Sequence, residues 1–231
     1  MRIAIWTAFP LRRFASLAAR AARLIMAGDF ARLGASARFR AHAFLLKRRL
    51  GPIEGFSPPA IEPDSPLVSV IIPCFNYGRF VAEAVDSALS QTLTNVEIII
   101  VEGGSTDGET PEILRKLERP RTQVFFQERS HLVGANRNFG ISLARGRYVC
   151  CLDADDTLEP TYIEKAVYLL EGHRYDVVST GIRFVGSKEG TIDVLEFPTL
   201  RDMTVGNQVI TCAVFRRTLW ELNGGYFDTG T

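Results

Sequence analysis

Three carboxylates within four residues, Asp153, Asp155 and Asp156, close an apolar run of strand length that starts at Arg147 and passes through Tyr148, Val149, Cys150, Cys151 and Leu152. Acids this close repel one another, so the arrangement costs stability unless a cation balances it. Asp153 and Asp155 are two positions apart. On extended backbone they point the same way, and two hard oxygens can then reach one divalent ion whose other positions go to water and substrate phosphates. The same residues fit a plainer arrangement, a strand end running into a solvated acidic turn with Asp156 or Thr157 as the N-cap of a helix that Pro160 helps to open. The rest of the chain has to decide between the two.

The elements that must position these acids alternate. Apolar, β-branched runs predict strands over 67–73, 96–101, 122–127 and 147–153, and helical spacing predicts helices over 78–91, 111–117 and 133–145. Such alternation predicts a mainly parallel sheet covered on both faces, with ligands bound beyond the carboxyl ends of the strands. Three strand exits then share one rim: Pro73-Cys74-Phe75-Asn76-Tyr77, Glu102-Gly103-Gly104-Ser105-Thr106-Asp107-Gly108, and the acids. The Gly103-Gly104 turn permits close backbone approach to a ligand, but it is neither the dinucleotide fingerprint nor a Walker loop. Further on, strands are expected over 176–185, 191–195 and 208–215, and a short helix over 217–222, where Trp220 fits core packing better than a sugar platform.

Charge divides the chain. Residues 1–50 hold 11 of the 27 basic residues and one acid, Asp29, for a net +10, and residues 51–231 carry −9. The first segment is expected to form two amphipathic helices, over 11–27 and 29–50, compatible with lying on an anionic membrane surface. Nucleic acid is not an expected partner, because the basic segment lacks aromatic stacking platforms. Residues 51–66 are proline-rich and are expected to be a linker, leaving 67–231 as the folded domain. Cys74, Cys150, Cys151 and Cys212 have neither Cys-x-x-Cys spacing nor a nearby histidine, which argues for buried free thiols over zinc or a disulfide framework. No apolar run reaches the roughly 18 residues of a membrane span.

Five ordered motifs carry a resemblance: residues 68–92 (VSVIIPCFNYGRFVAEAVDSALSQT), 96–110 (VEIIIVEGGSTDGET), 134–148 (GANRNFGISLARGRY), 151–156 (CLDADD) and 214–228 (VFRRTLWELNGGYFD). In this order they resemble the family 2 glycosyltransferases, nucleotide-diphospho-sugar transferases of GT-A fold. The resemblance implies an α/β domain with a Rossmann-like, mainly parallel sheet, and a donor sugar carried on a nucleoside diphosphate. It implies that Pro73 and Phe75 line the base pocket, Phe75 stacking on the base, with Asn76 beside them. Asp153 and Asp155 match the outer positions of the family's Asp-x-Asp motif, with Asp155 the more direct ligand of Mg²⁺ or Mn²⁺ and Asp153 also facing the nucleotide sugar. Arg137 matches the family's Ala-Arg-Asn stretch and adds positive charge near the diphosphate, although a plain salt bridge also suits it.

Two departures from the family pattern stand out. Where the family carries Asp-Asp-Gly-Ser-Thr-Asp, this chain has Glu102-Gly103-Gly104-Ser105-Thr106-Asp107. The second Asp of the family hydrogen-bonds the base; Gly103 has no side chain to do so, and Glu102 is the expected substitute. Inverting members take the acceptor proton with a carboxylate beyond the Gly-Gly-Tyr-Phe-Asp motif. The chain ends at Thr231, so the base is expected beyond it and no catalytic residue is assigned within 1–231; Asp228 is expected to shape the acceptor side. The expectation is metal-dependent, inverting transfer from a nucleoside-diphosphate sugar to a saccharide or lipid-linked acceptor in surface polysaccharide synthesis, in the cytoplasm at the inner face of the cell membrane. The alternative is a catalytically inactive remnant that binds nucleotide-sugar or a protein partner.

Overall fold

The computed structural model describes residues 2–6, 55–60, 65–128, 132–173, 175–185, 190–192, 194, 200–206 and 208–227. In chain order the elements are β1 (Arg2–Trp6), β2 (Val68–Cys74), α1 (Gly78–Leu89), β3 (Val96–Glu102), α2 (Thr110–Arg115), β4 (Thr122–Phe126), α3 (Val133–Leu143), β5 (Tyr148–Cys151), β6 (Asp156–Leu158), α4 (Tyr162–Gly172), β7 (Val177–Val178), β8 (Gly181–Val185), β9 (Gly190–Ile192), α5 (Leu200–Val205), β10 (Val214–Arg216) and α6 (Arg217–Asn223). The main sheet has the order β4-β3-β2-β5-β10-β7; its first four strands are parallel, and β10 and β7 extend it antiparallel.

β2 and β3 are buried at every position because helices cover both faces. Val68, Val70, Ile72 and Cys74 pack with Val81, Ala84 and Val85 of α1 and Ile163 and Val167 of α4, while Ile71 packs on the other face with Ile141 of α3. Full burial of one such aliphatic side chain stabilises by about 1.5–3 kcal/mol. Gly140 explains how α3 lies so close: a Cβ there would stand 2.5 Å from Ile71 Cγ2. A mid-helix glycine costs up to ~1 kcal/mol in backbone entropy, and here it admits the strand beneath.

The register pairs Cys74 with Glu102 and Ile71 with Cys151, which brings the three strand exits to one rim. At the opposite end of the sheet Glu97 is the anchor. Its carboxylate accepts from Ser69 Oγ at 2.7 Å, from the Arg145 backbone N–H at 2.8 Å and from Arg145 Nε at 3.0 Å.

Several expectations are corrected. Residues 1–50 are not an arm separate from the body throughout: Arg2–Trp6 runs parallel to β6 (Ile3 opposite Asp156) and antiparallel to β8 (Ile5 opposite Ile182), completing a second sheet of order β6-β1-β8-β9. The Ile3-Ala4-Ile5-Trp6 run suits a strand, and β6 and β8 present two edges for it to pair with. The helices expected over 11–27 and 29–50 lie outside the described residues. The 51–66 stretch is more than a spacer, since Phe56 packs on the core with its ring edge-on to Tyr168, centroids 5.4 Å apart. Neither Asp156 nor Thr157 caps a helix; both lie in β6, and the next helix starts at Tyr162. The strand expected over 208–215 is confined to Val214–Arg216, and α5 was not anticipated.

All four cysteines are buried and free. Burial pushes the Cys74 thiol up to about 12 and that of Cys151 to about 11, and raises those of Cys150 and Cys212 as well. Since the thiolate is the reactive form, the folded protein is expected to resist thiol reagents at pH 8 and to titrate four thiols in denaturant. Rapid labelling of even one thiol in the native state would contradict this burial.

Candidate functional site

Two strand-exit loops and the first turns of one helix build a single cavity of about 380 Å³. It is lined by Pro73, Cys74, Phe75 and Tyr77 from the β2 exit, Val133, Asn136 and Arg137 from α3, and Asp153, Ala154 and Asp155 from the β5 exit. One end is ionic and the other is aromatic and apolar. The N-terminal end of α3 also brings backbone N–H groups and the positive end of the helix dipole toward the cavity, a setting that favours anions.

At the ionic end Arg137 Nη2 donates to Asp153 Oδ1 at 2.7 Å, and the guanidinium side chain is only 15% exposed. Its carbon also stands 5.6 Å from the centroid of the Tyr226 ring, a cation–π contact. Among the described residues no arginine or lysine is paired with Asp155, and burial raises its carboxyl above the usual carboxylate range; hydrogen bonding to its own backbone opposes the shift and the Asp153 charge adds to it. One carboxylate is thus balanced by arginine, and the other is paired to its own cost with a like charge.

Of the residues singled out from sequence, Pro73, Phe75, Arg137, Asp153 and Asp155 line this one cavity. Asn76, Glu102 and Gly103 do not. Glu102 is buried, and its carboxylate turns into its own loop, accepting from the backbone N–H of Ser105 at 2.6 Å and of Gly104 at 3.1 Å; it therefore does not fill the gap left at Gly103. Asn76, held at φ 59°, accepts the N–H groups of Thr106 and Asp107 at 2.7 and 3.1 Å. Gly103 donates its N–H to Cys74 O at 2.9 Å. Asn76 and Gly103 tie two strand exits together, and Glu102 braces its own loop. Short polar side chains at loop positions favour such local backbone bonds, and the motif alone does not distinguish a latch from a ligand contact.

Sequence reasoning missed Tyr77, Val133 and Asn136 as lining residues, and Asn138 as a clamp. Asn138 Oδ1 accepts from Trp220 Nε1 and from the Tyr226 N–H, both at 2.8 Å, and its Nδ2 donates to Tyr226 O at 2.8 Å. Trp220 is thereby fixed half-buried against the core, with part of its side chain open to a neighbouring cavity. The clamp sets Tyr226 against Arg137, which forms the wall between the first cavity and a second of about 400 Å³ lined mainly by Val177, Ile210, Ala213, Phe215, Trp220 and Tyr226. A larger cavity of about 600 Å³ lies at the amino-terminal edge of the sheet. Its arginines are committed to the scaffold, Arg121 to Thr94 O and Arg145 to Glu97, so volume there brings no comparable chemistry.

With this geometry in hand, comparison with known proteins is informative. The family model for glycosyl transferase family 2 matches residues 69–222. The chain belongs to glycosyl transferase family 2. Among curated relatives, it is 36% identical over 116 residues to glycosyltransferase GlyG of Streptococcus pneumoniae, covering 49% of this chain and 38% of GlyG. It is 40% identical over 101 residues to chondroitin synthase of Escherichia coli, covering 43% of this chain and 14% of that protein. The chain therefore spans well under half the length of these relatives. In solved structures the fold matches TarS of S. aureus with a TM-score of 0.57 at 22% identity, over 69% of this chain and 50% of the TarS chain. It also matches the mannosyltransferase PcManGT of Pyrobaculum calidifontis, in complex with GDP-Man and Mn²⁺, with a TM-score of 0.53 at 24% identity, over 92% of this chain and 60% of that one. The domain has the GT-A fold of family 2 glycosyltransferases. Among the described residues no helix is long and apolar enough to cross a membrane.

Proposed function

We propose that this family 2 chain binds a nucleoside-diphosphate sugar in the cavity between Phe75 and Asp155, and that the protein transfers the sugar with inversion to a saccharide or lipid-linked acceptor in surface polysaccharide synthesis. The observation that carries the reading is that Phe75, Arg137, Asp153 and Asp155 line one cavity. A diphosphate suits the ionic end and a planar base the aromatic end. Mn²⁺ or Mg²⁺ fits the donor set: two carboxylates on one wall, one of them buried at a cost that a cation would relieve. Among the described residues no group of three or more acids, histidines or cysteines is gathered to hold a metal alone, which suits an ion completed by phosphate oxygens and water.

In this reading Asp155 and Asp153 hold the ion, which when bound supplies positive charge against the leaving diphosphate. Arg137 adds a fixed positive charge beside it and orients Asp153. Phe75 and Tyr77 hold the base and exclude water from one side. The acceptor is assigned to the far side of Arg137, and cytoplasmic work at an anionic membrane surface goes with the basic residues of 7–50. One observation favours a second reading, donor binding without transfer: among the described residues lining the second cavity there is no carboxylate or imidazole to serve as base.

Thermal unfolding tests donor binding. Mn²⁺ with UDP or GDP at about 100 times Kd is expected to stabilise by roughly 2.7 kcal/mol, which for a domain of this size raises Tm by about 5–10 °C. No rise with uridine, guanosine or thymidine diphosphate in the presence of metal removes the reading. Sugar release or transfer from the donor then separates an enzyme from a binding protein.

A further inference from the structure

We propose, resting on the donor reading above, that Asn138 is a positioning residue for the donor diphosphate: through Tyr226 it fixes the Arg137 guanidinium beside Asp153, and it touches no ligand itself. Arg137 lines both cavities, whereas Asn138, the next residue of α3, is among the described lining residues of neither. The Asn138 side chain bonds instead to the 220–226 segment. Its amide brackets Tyr226, with Oδ1 accepting the backbone N–H and Nδ2 donating to the carbonyl, both at 2.8 Å, and Oδ1 also accepts from Trp220 Nε1. A side chain that holds both backbone groups of one residue sets that residue's direction as well as its place.

Two glycines permit the close approach. A Cβ on Gly134 would stand 2.9 Å from Phe227 O, and one on Gly225, held at φ 87°, would stand 2.6 Å from Asn138 Oδ1. Gly134, Arg137 and Asn138 follow the i, i+3, i+4 spacing of one helix face, so the segment is laid along the face of α3 that carries Arg137. Tyr226 is fixed at both ends: Asn138 holds its backbone, and its hydroxyl donates to Cys151 Sγ at 3.7 Å, at the end of the strand that leads to Asp153. Its ring then backs the Arg137 guanidinium at 5.6 Å, while Asp153 takes Nη2 at 2.7 Å. Arginine has a large rotamer freedom to lose. A guanidinium held on two sides before the ligand arrives therefore binds a diphosphate at a lower ordering cost than a loose one.

The test is a double-mutant cycle on nucleotide affinity. Isothermal titration of the protein in Mn²⁺ with uridine, guanosine and thymidine diphosphates is expected to show Asn138→Ala weakening each nucleotide that binds by about tenfold, the low end of what supporting residues around a metal site are worth. In an Arg137→Ala background the same substitution is expected to cost less than about twofold, because the group it positions is gone. A similar loss in both backgrounds, or none with Arg137 present, overturns the inference. Should Asn138→Ala fail to fold, Tyr226→Leu, which removes the ring face, carries the same test: about tenfold with Arg137 and less than about twofold without it. Tyr226→Phe restores the face and is expected to recover most of the Tyr226→Leu loss; no recovery also overturns the inference. If the wild-type protein binds none of these nucleotides, the donor reading falls and this inference with it.

Discussion

Asp155→Ala is expected to abolish the metal-dependent part of nucleotide binding, a loss on the order of 100-fold or more given that even supporting residues around metals are worth 10–100-fold. The same substitution should leave the ligand-free protein as stable as before or slightly more so, because it removes a carboxylate whose burial raises its pKa and which faces the like charge of Asp153. Asp153→Ala should behave differently. It strands the Arg137 guanidinium, 15% exposed and bonded to Asp153 at 2.7 Å. An unpartnered, mostly buried group costs about 1–3 kcal/mol, so the ligand-free Tm should fall by several degrees. Titrating Mn²⁺ and UDP into each variant and recording thermal unfolding checks both. A full Mn²⁺-dependent shift in Asp155→Ala would mean that the ion, if any, is held elsewhere.

Gly146→Ala is expected to be the most damaging single-methyl addition outside the site. Its Cβ would lie 2.6 Å from the Ser69 backbone nitrogen, 2.7 Å from Ser69 Oγ and 2.9 Å from Tyr148 O. Two of these atoms belong to the backbones of β2 and β5, which are paired with each other, while β2 is also bound to β3 and β5 to β10, so neither can give way. Ser69 Oγ is no freer, since it accepts the Gly146 N–H at 2.9 Å and donates to Glu97. Overpacking of this kind costs typically 1–3 kcal/mol and more where backbone must shift; we expect about 3 kcal/mol or failure to fold. Gly172→Ala is the control, because nothing lies within 4 Å of its added methyl and the residue ends a helix. It should be neutral or slightly stabilising. Equal denaturation midpoints for the two variants would show that the sheet edge yields more easily than its pairing implies.

Much of the main sheet was legible in the chain because parallel strands buried on both faces write themselves as continuous β-branched runs, and β2 and β3 match their expected ranges to within a residue. The short, half-exposed elements were not legible. β6 has three residues, too few to show a period, and the single strand expected over 176–185 is broken into β7 and β8, a break that periodicity did not show. β1 was hidden for another reason: it pairs with strands more than 150 residues away, and its pattern is local while its partners are not.

The sequence by itself determined the sheet's central strands, the shared rim of their exits, the family and the acids at that rim, because periodicity and chemical type are local properties. Only the tertiary structure decided what each polar side chain does once there. Asp153 is turned to Arg137 and Asp155 is left to its burial, while Asn76 and Glu102, chemically suited to a ligand, accept backbone N–H groups of residues 104–107. A side chain's hydrogen-bonding capacity is set by its composition; which partner takes that capacity depends on where the fold leaves unsatisfied groups.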